Sequence, residues 1–143
     1  MMRRRAHLAG IALIALAPMI ALAPAGVHAF ARPGVRTVGI TIHYSHFSLS
    51  ELRVEPGETV RFVVQNTDPI DHEFILGDQH VQDIHENGTE AYHPPRPGEM
   101  TVPAGTTRVT TYTFPTGPTQ LIFGCHLPGH YAYGMHGLVT VGG

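Results

Sequence analysis

The segment Leu121-Ile122-Phe123-Gly124-Cys125-His126-Leu127-Pro128-Gly129-His130-Tyr131-Ala132-Tyr133-Gly134-Met135 contains the only cysteine of the 143-residue chain. Leu121, Phe123 and Cys125 fall on one face of a strand, and that face is the apolar one. A thiol, an imidazole and a thioether then follow at five-residue steps, as Cys125, His130 and Met135. A second imidazole, His72, lies upstream in Asp71-His72-Glu73-Phe74. These are soft and borderline ligands. Two His, one Cys and a weak axial Met form the donor set of a blue-copper electron-transfer site.

The sequence around this loop has strand periodicity. Val38, Ile40 and Ile42 alternate with Thr37, Gly39 and Thr41, the period of a half-buried strand. Leu52 and Val54 precede the turn Glu55-Pro56-Gly57-Glu58. Val60, Phe62 and Val64 alternate again and lead into the turn Asn66-Thr67-Asp68-Pro69. His72, Phe74 and Leu76 share one face, as do Met135, Val139 and Val141. Thr107–Phe114 and Thr119–Cys125 are expected to pair as a hairpin around Pro115-Thr116-Gly117-Pro118. About seven to eight short strands predict an all-β fold, a Greek-key sandwich or barrel. Strand parity carries His72, Cys125 and Met135 to the core side at one end, with His130 closing the site from the surface.

Residues 77–103 break the pattern and are read as one long loop excursion, with a helical turn between Gln79 and Glu86. A loop of this length in a small domain is usually functional or mobile. It carries His80, His85 and His93 with Asp78, Asp83 and Glu86, while His43 and His46 flank Tyr44-Ser45. His-rich tracts often bind metal, so His80, His85 and His93 are candidates for a second, weaker copper site. Their plainer reading is a solvated loop with some pH sensitivity. His126 and His136, next to Cys125 and Met135, are read as surface residues by parity.

The first 29 residues read as a signal peptide. Arg3, Arg4 and Arg5 precede an apolar run from Leu8 to Ala25, and Val27-His28-Ala29 has the small-x-small form of a cleavage site. An uncleaved anchor is the rival reading, since the run is nearly long enough to span a membrane; Pro18, Pro24 and the cleavage-like end favour removal. Residues 30–143 then form a single domain of sandwich size. It carries six Arg against eleven Asp and Glu, and the chain has no Lys. That acidic balance argues against nucleic acid and against stable membrane association after cleavage. In an exported chain one cysteine cannot form an internal disulfide, and a lone thiol needs a use; metal ligation is the simplest.

Each ligand taken alone has a blander reading. A buried Cys is commonly a small hydrophobe, and Met135 suits a core. A lone His72 is commonly a hydrogen-bonded structural histidine. Zinc also takes Cys and His, although closed zinc sites seldom use Met. The combination and its spacing favour copper.

The chain resembles the cupredoxins, the type 1 blue-copper family of plastocyanin and azurin. The resemblance rests on the Asn66-to-His72 strand entry, Phe123-Gly124-Cys125, the Cys-x4-His-x4-Met loop, the closing Leu138-Val139-Thr140-Val141, and Glu55–Phe62. It spans about Thr37 to Val141 apart from the excursion. His72-Glu73-Phe74 with Leu127-Pro128-Gly129-His130-Tyr131 is most similar to exported bacterial cupredoxins linked with copper tolerance. The resemblance implies His72, Cys125 and His130 as equatorial ligands of one copper, with Met135 axial. It departs at Glu73, where many members carry an Asn or Ser that helps fix the Cys loop.

Three functions are open at this point. The first is an exported, non-enzymatic electron carrier cycling between Cu(I) and Cu(II). Leu127, Pro128, Tyr131 and Tyr133 would form its docking rim for a redox partner protein. The second is periplasmic or extracellular copper handling, with a copper-trafficking protein as partner. The third and weakest is a copper enzyme subunit, for which no second catalytic site of comparable quality is visible.

Overall fold

In a computed structural model the chain is described over residues 34–88 and 96–143. The leader assigned to residues 1–29, and His93, lie outside the described residues. The alternation in the sequence becomes alternation in burial. In β4 (Thr59–Asn66), Val60, Phe62 and Val64 are buried while Arg61 and Gln65 are exposed. In β1 (Arg36–His43), Ile40 and Ile42 turn inward. β1 and β4 pair in parallel, flanked by β2 (His46–Phe47) and β7 (Thr107–Thr113) in the order β2-β1-β4-β7.

The second sheet has the order β3-β9-β8-β5-β6. Its strands are β3 (Glu51–Val54), β9 (His136–Val141), β8 (Thr119–Gly124), β5 (His72–Gly77) and β6 (Glu99–Val102). β3 and β9 run parallel and the other pairs are antiparallel. The two sheets meet in one apolar core. Phe62 of the first sheet lies 5.2 Å from Phe74 of the second, and Phe74 stacks on Phe123 at 5.7 Å, measured between ring centroids. The expected all-β sandwich is present, with nine strands among the described residues. The strands with no counterpart in the sequence reading are β2, only two residues long, and β6, inside the supposed loop.

Two expectations change. Thr107–Phe114 and Thr119–Cys125 do not form a hairpin, because β7 and β8 belong to different sheets. Phe114 turns into the core, its N–H donating to the Glu58 carbonyl, and the chain crosses between layers at Pro115–Pro118. Periodicity assigns each strand an apolar face, and two such faces can meet across a core as readily as lie side by side.

The excursion is also more ordered than a loop. It holds α1 (Gln79–Asn87) as well as β6. Asp78 caps α1, its carboxylate accepting from the Val81 N–H at 3.0 Å, which satisfies one otherwise orphaned donor. The helix lies on the outer face of β5 and β8. Gln82, buried beneath it, donates through Nε2 to the carbonyls of Ile75 (3.3 Å) and Ile122 (2.9 Å). All six residues of β5 are therefore buried, not alternate ones.

Candidate metal centre

His72 opens β5, and Cys125 follows the last residue of β8. The two strands are neighbours, with Ile75 opposite Gly124, so both side chains emerge at one end of the sandwich. The loop after Cys125 returns immediately. The Cys125 N–H donates to the Met135 carbonyl (3.1 Å), and the Met135 N–H donates to the His130 carbonyl (3.0 Å). Gly129 and Gly134, at φ 83° and 95°, make the tight reversals in between, a conformation glycine adopts at little cost.

This folding gathers the predicted ligands. Ligand atoms of His72, Cys125 and His130 lie within 4.8 Å of one another, the one such group of His, Cys, Asp or Glu among the described residues. Cys125 Sγ is 3.9 Å from His72 Nδ1 and 3.3 Å from His130 Nδ1. Cys125 and His72 are fully buried, Met135 is buried beside them, and His130 is half-buried. The structure thus brings His72, Cys125 and His130 together, two deep and one toward solvent, and ties the buried Met135 to the same loop through its backbone hydrogen bonds.

The electrostatics suit a metal. Burial pushes the Cys125 thiol up to about 11, against the partial pull of the Leu127 and Glu73 amides, and the Glu73 and Glu86 carboxylates push it further up. A thiol this reluctant to ionise needs a cation to stabilise its thiolate. His130 is held below the usual histidine range, first by burial and then by repulsion from His72. Its ring is thus neutral near pH 7 and keeps a lone pair for a metal.

The surrounding residues hold these groups in place. The Glu73 N–H donates to Cys125 Sγ at 3.3 Å, and Glu73 Oε2 accepts from the His126 N–H at 3.2 Å. Glu73 thus ties the Cys loop to β5, the task expected of an Asn or Ser there. Burial acts to raise the Asp68 carboxyl, but hydrogen bonds from the Ser45 and Tyr44 amides and from His72 outweigh it and hold it below the ordinary range. Asp68 was read only as part of a turn; its contact with His72 across a loop has no periodic signature in sequence.

His126 is not the surface residue that parity implied. Its side chain is 2 % exposed, because α1 covers the face toward which it points. Nδ1 meets Glu86 Oε2 and Nε2 meets Gln82 Oε1, both at 2.8 Å. His136 is exposed, as expected. Of the second histidine group, His80 is exposed on α1, whereas the His85 side chain faces Glu99 at 3.7 Å, with Nδ1 at the Val81 carbonyl. Five positions on a helix separate two side chains by about 140°, so α1 directs the two away from each other.

A two-sheet sandwich with one thiol, two imidazoles and a thioether gathered at its end defines a small copper-binding β-domain. Residues 36–142 match the copper binding proteins of the plastocyanin/azurin family, and the chain belongs to that family. It is 34 % identical over 134 residues to the copper-resistant cuproprotein CopI of Rubrivivax gelatinosus, covering 83 % of this chain and 81 % of that one. Identity to the protein of the same name from Pseudomonas aeruginosa is 29 % over 155 residues, covering 82 % and 85 %. Among solved structures, reduced auracyanin from Roseiflexus castenholzii superposes with a TM-score of 0.63 at 24 % identity, covering 77 % of this chain and all of that one, which supports the fold. The family's copper fits the soft donor set found here.

Proposed function

We propose that the protein handles copper outside the cytoplasm and contributes to copper tolerance, holding one ion through His72, Cys125 and His130, with Met135 as a weak fourth contact. The observation that carries this reading is the buried thiol-imidazole cage, in a chain 34 % identical to a copper-resistant cuproprotein. Bound copper supplies one-electron chemistry between Cu(I) and Cu(II). The chain's own residues do the rest. Cys125 gives up its proton on loading, burial excludes water from the sulfur, and the hydrogen bonds of Glu73 and the loop hold the donors in place. Export follows from the leader-like residues 1–29; among the described residues no helix is long and apolar enough to cross a membrane.

A second reading, single-electron transfer to a partner protein, is favoured by the surface around His130. Tyr133 is 86 % exposed, Pro128 is exposed, and Leu127 and Tyr131 are partly so. Redox partners dock over small interfaces of this kind. Deleting the gene and restoring it with either the wild type or Cys125→Ser separates the two. Copper sensitivity rescued only by the wild type, with respiration unchanged, supports tolerance. A respiratory defect without copper sensitivity supports electron transfer and overturns the first reading.

A further inference from the structure

The turn between β1 and β2 is unusual for its sequence. His43 pairs with His46, leaving Tyr44 and Ser45 as a two-residue hairpin loop. Both have positive φ, 51° and 54°. Such turns strongly prefer Asn-Gly or Asp-Gly, because side chains with a Cβ are strained there. Burial does not compensate at Tyr44, which is 80 % exposed with its ring against His43 at 3.9 Å between centroids. What the conformation achieves is to aim two successive N–H groups at one point, an anion-binding nest.

Asp68, only 6 % exposed, fills that nest. Oδ1 accepts from the Tyr44 N–H at 2.7 Å and Oδ2 from the Ser45 N–H at 2.8 Å. His43 Nδ1 stands 3.8 Å from Oδ1 while bonding Thr67 Oγ1 at 2.9 Å. From the other side, Asn66 Oδ1 accepts from the Asp68 N–H, and Asn66 Nδ2 donates to the Ile70 and Val102 carbonyls. The turn amides thus hold the carboxylate, and Asn66 holds the backbone that carries it. Its remaining contact is His72 Nε2, at 2.9 Å from Oδ2. A carboxylate only accepts, so Nε2 carries the proton and Nδ1 presents its lone pair toward Cys125 Sγ.

We propose that Asp68, clamped in the Tyr44–Ser45 amide nest, is a positioning residue for the metal centre: it fixes the tautomer and orientation of His72 and so raises copper affinity. Groups that orient a ligating imidazole in this way are typically worth about 10–100-fold in metal affinity. The inference rests on the copper site itself and not on whether that site serves tolerance or electron transfer.

The test uses Asp68→Asn alone and in a Tyr44→Asn/Ser45→Gly background. In that background the turn suits its own conformation and no longer depends on a carboxylate for stability. The expected result in both is a fall of about 10–100-fold in Cu(I) affinity, measured by competition with a chelator. In the metal-free protein, ¹⁵N shifts of the His72 ring should report Nε2–H in the wild type and a loss of that single tautomer in Asp68→Asn. The turn substitutions without Asp68→Asn should keep both the affinity and the tautomer. A folded Asp68→Asn protein in the stabilised background with unchanged affinity and an unchanged His72 tautomer overturns the proposal. The tautomer is read without copper, so it can fail or hold independently of the functional reading.

Discussion

At the scale of single residues, Cys125 carries the clearest consequence. Its thiol ionises at about 11 in the folded, metal-free chain, mainly because it is buried, against an ordinary value of 9.0. Between those values the unfolded chain has lost a proton that the folded chain keeps. Stability from this group is thus complete below pH 9 and lost as pH rises to about 11. The loss should amount to roughly 2–3 kcal/mol. Urea midpoints of the metal-free wild type and Cys125→Ser, taken from pH 8 to 11, should converge or cross as the wild type weakens by more; parallel curves would contradict the shifted thiol. Met135 makes a different prediction. In its proposed role as weak axial donor it is not needed to retain the ion, so Met135→Leu should bind one copper per chain with a changed reduction potential. Potentiometry beside metal analysis checks this, and outright loss of copper would show Met135 to be a principal ligand. Both side chains were legible from sequence because the donor atoms sit at fixed steps on one loop, where spacing and geometry are nearly the same thing.

At the scale of elements, legibility divides by whether a residue's partner is local. The strands of Val60–Val64 and Val38–Ile42 were readable, since burial on one face leaves a period of two. The assignment of β7 and β8 to separate sheets was not, because it depends on where Phe114 packs and not on any pattern within either strand. α1 was visible only as a turn. Its role depends on Gln82, a polar residue buried at 1 % exposure that no hydrophobic pattern would place inside. Gln82 satisfies the Ile75 and Ile122 carbonyls and pairs with His126 Nε2. Removing it strands buried polar groups, so Gln82→Ala should destabilise the fold by about 2–3 kcal/mol. Urea unfolding measures that, and copper stoichiometry should remain one per chain because the cage hydrogen bonds run through Glu73. A variant as stable as the wild type would mean that water replaces the side chain and α1 is only loosely seated. Asp68 was unreadable for the same reason as Gln82. Its partners are Tyr44, Ser45 and His72, brought together from two loops and the start of a strand.

At the scale of the whole molecule, the sandwich itself supplies strands and hydrogen bonds that hold the cage residues. His72 and Cys125 are held at the ends of two neighbouring strands, and His130 and Met135 by a loop closed on its own backbone hydrogen bonds. The metal-free protein should consequently fold with the same backbone, unlike small domains whose metal is their core. Copper then adds stability by mass action. At a free concentration 100 times the dissociation constant, the gain is about 2.7 kcal/mol. For a domain of this size that raises Tm by roughly 10 °C or more. Loading displaces the Cys125 proton, so the gain should shrink in acid. Amide NMR spectra of the metal-free and loaded protein, taken with thermal melts at pH 5 and pH 7, test these points together. Spectra that agree everywhere except around residues 72 and 125–135, with a larger Tm rise at pH 7, are the expected outcome. A metal-free chain without dispersed β-sheet resonances would mean instead that the ion organises the sandwich. The buried hydrogen bonds at Glu73 and Asp68 would then follow metal binding, not precede it.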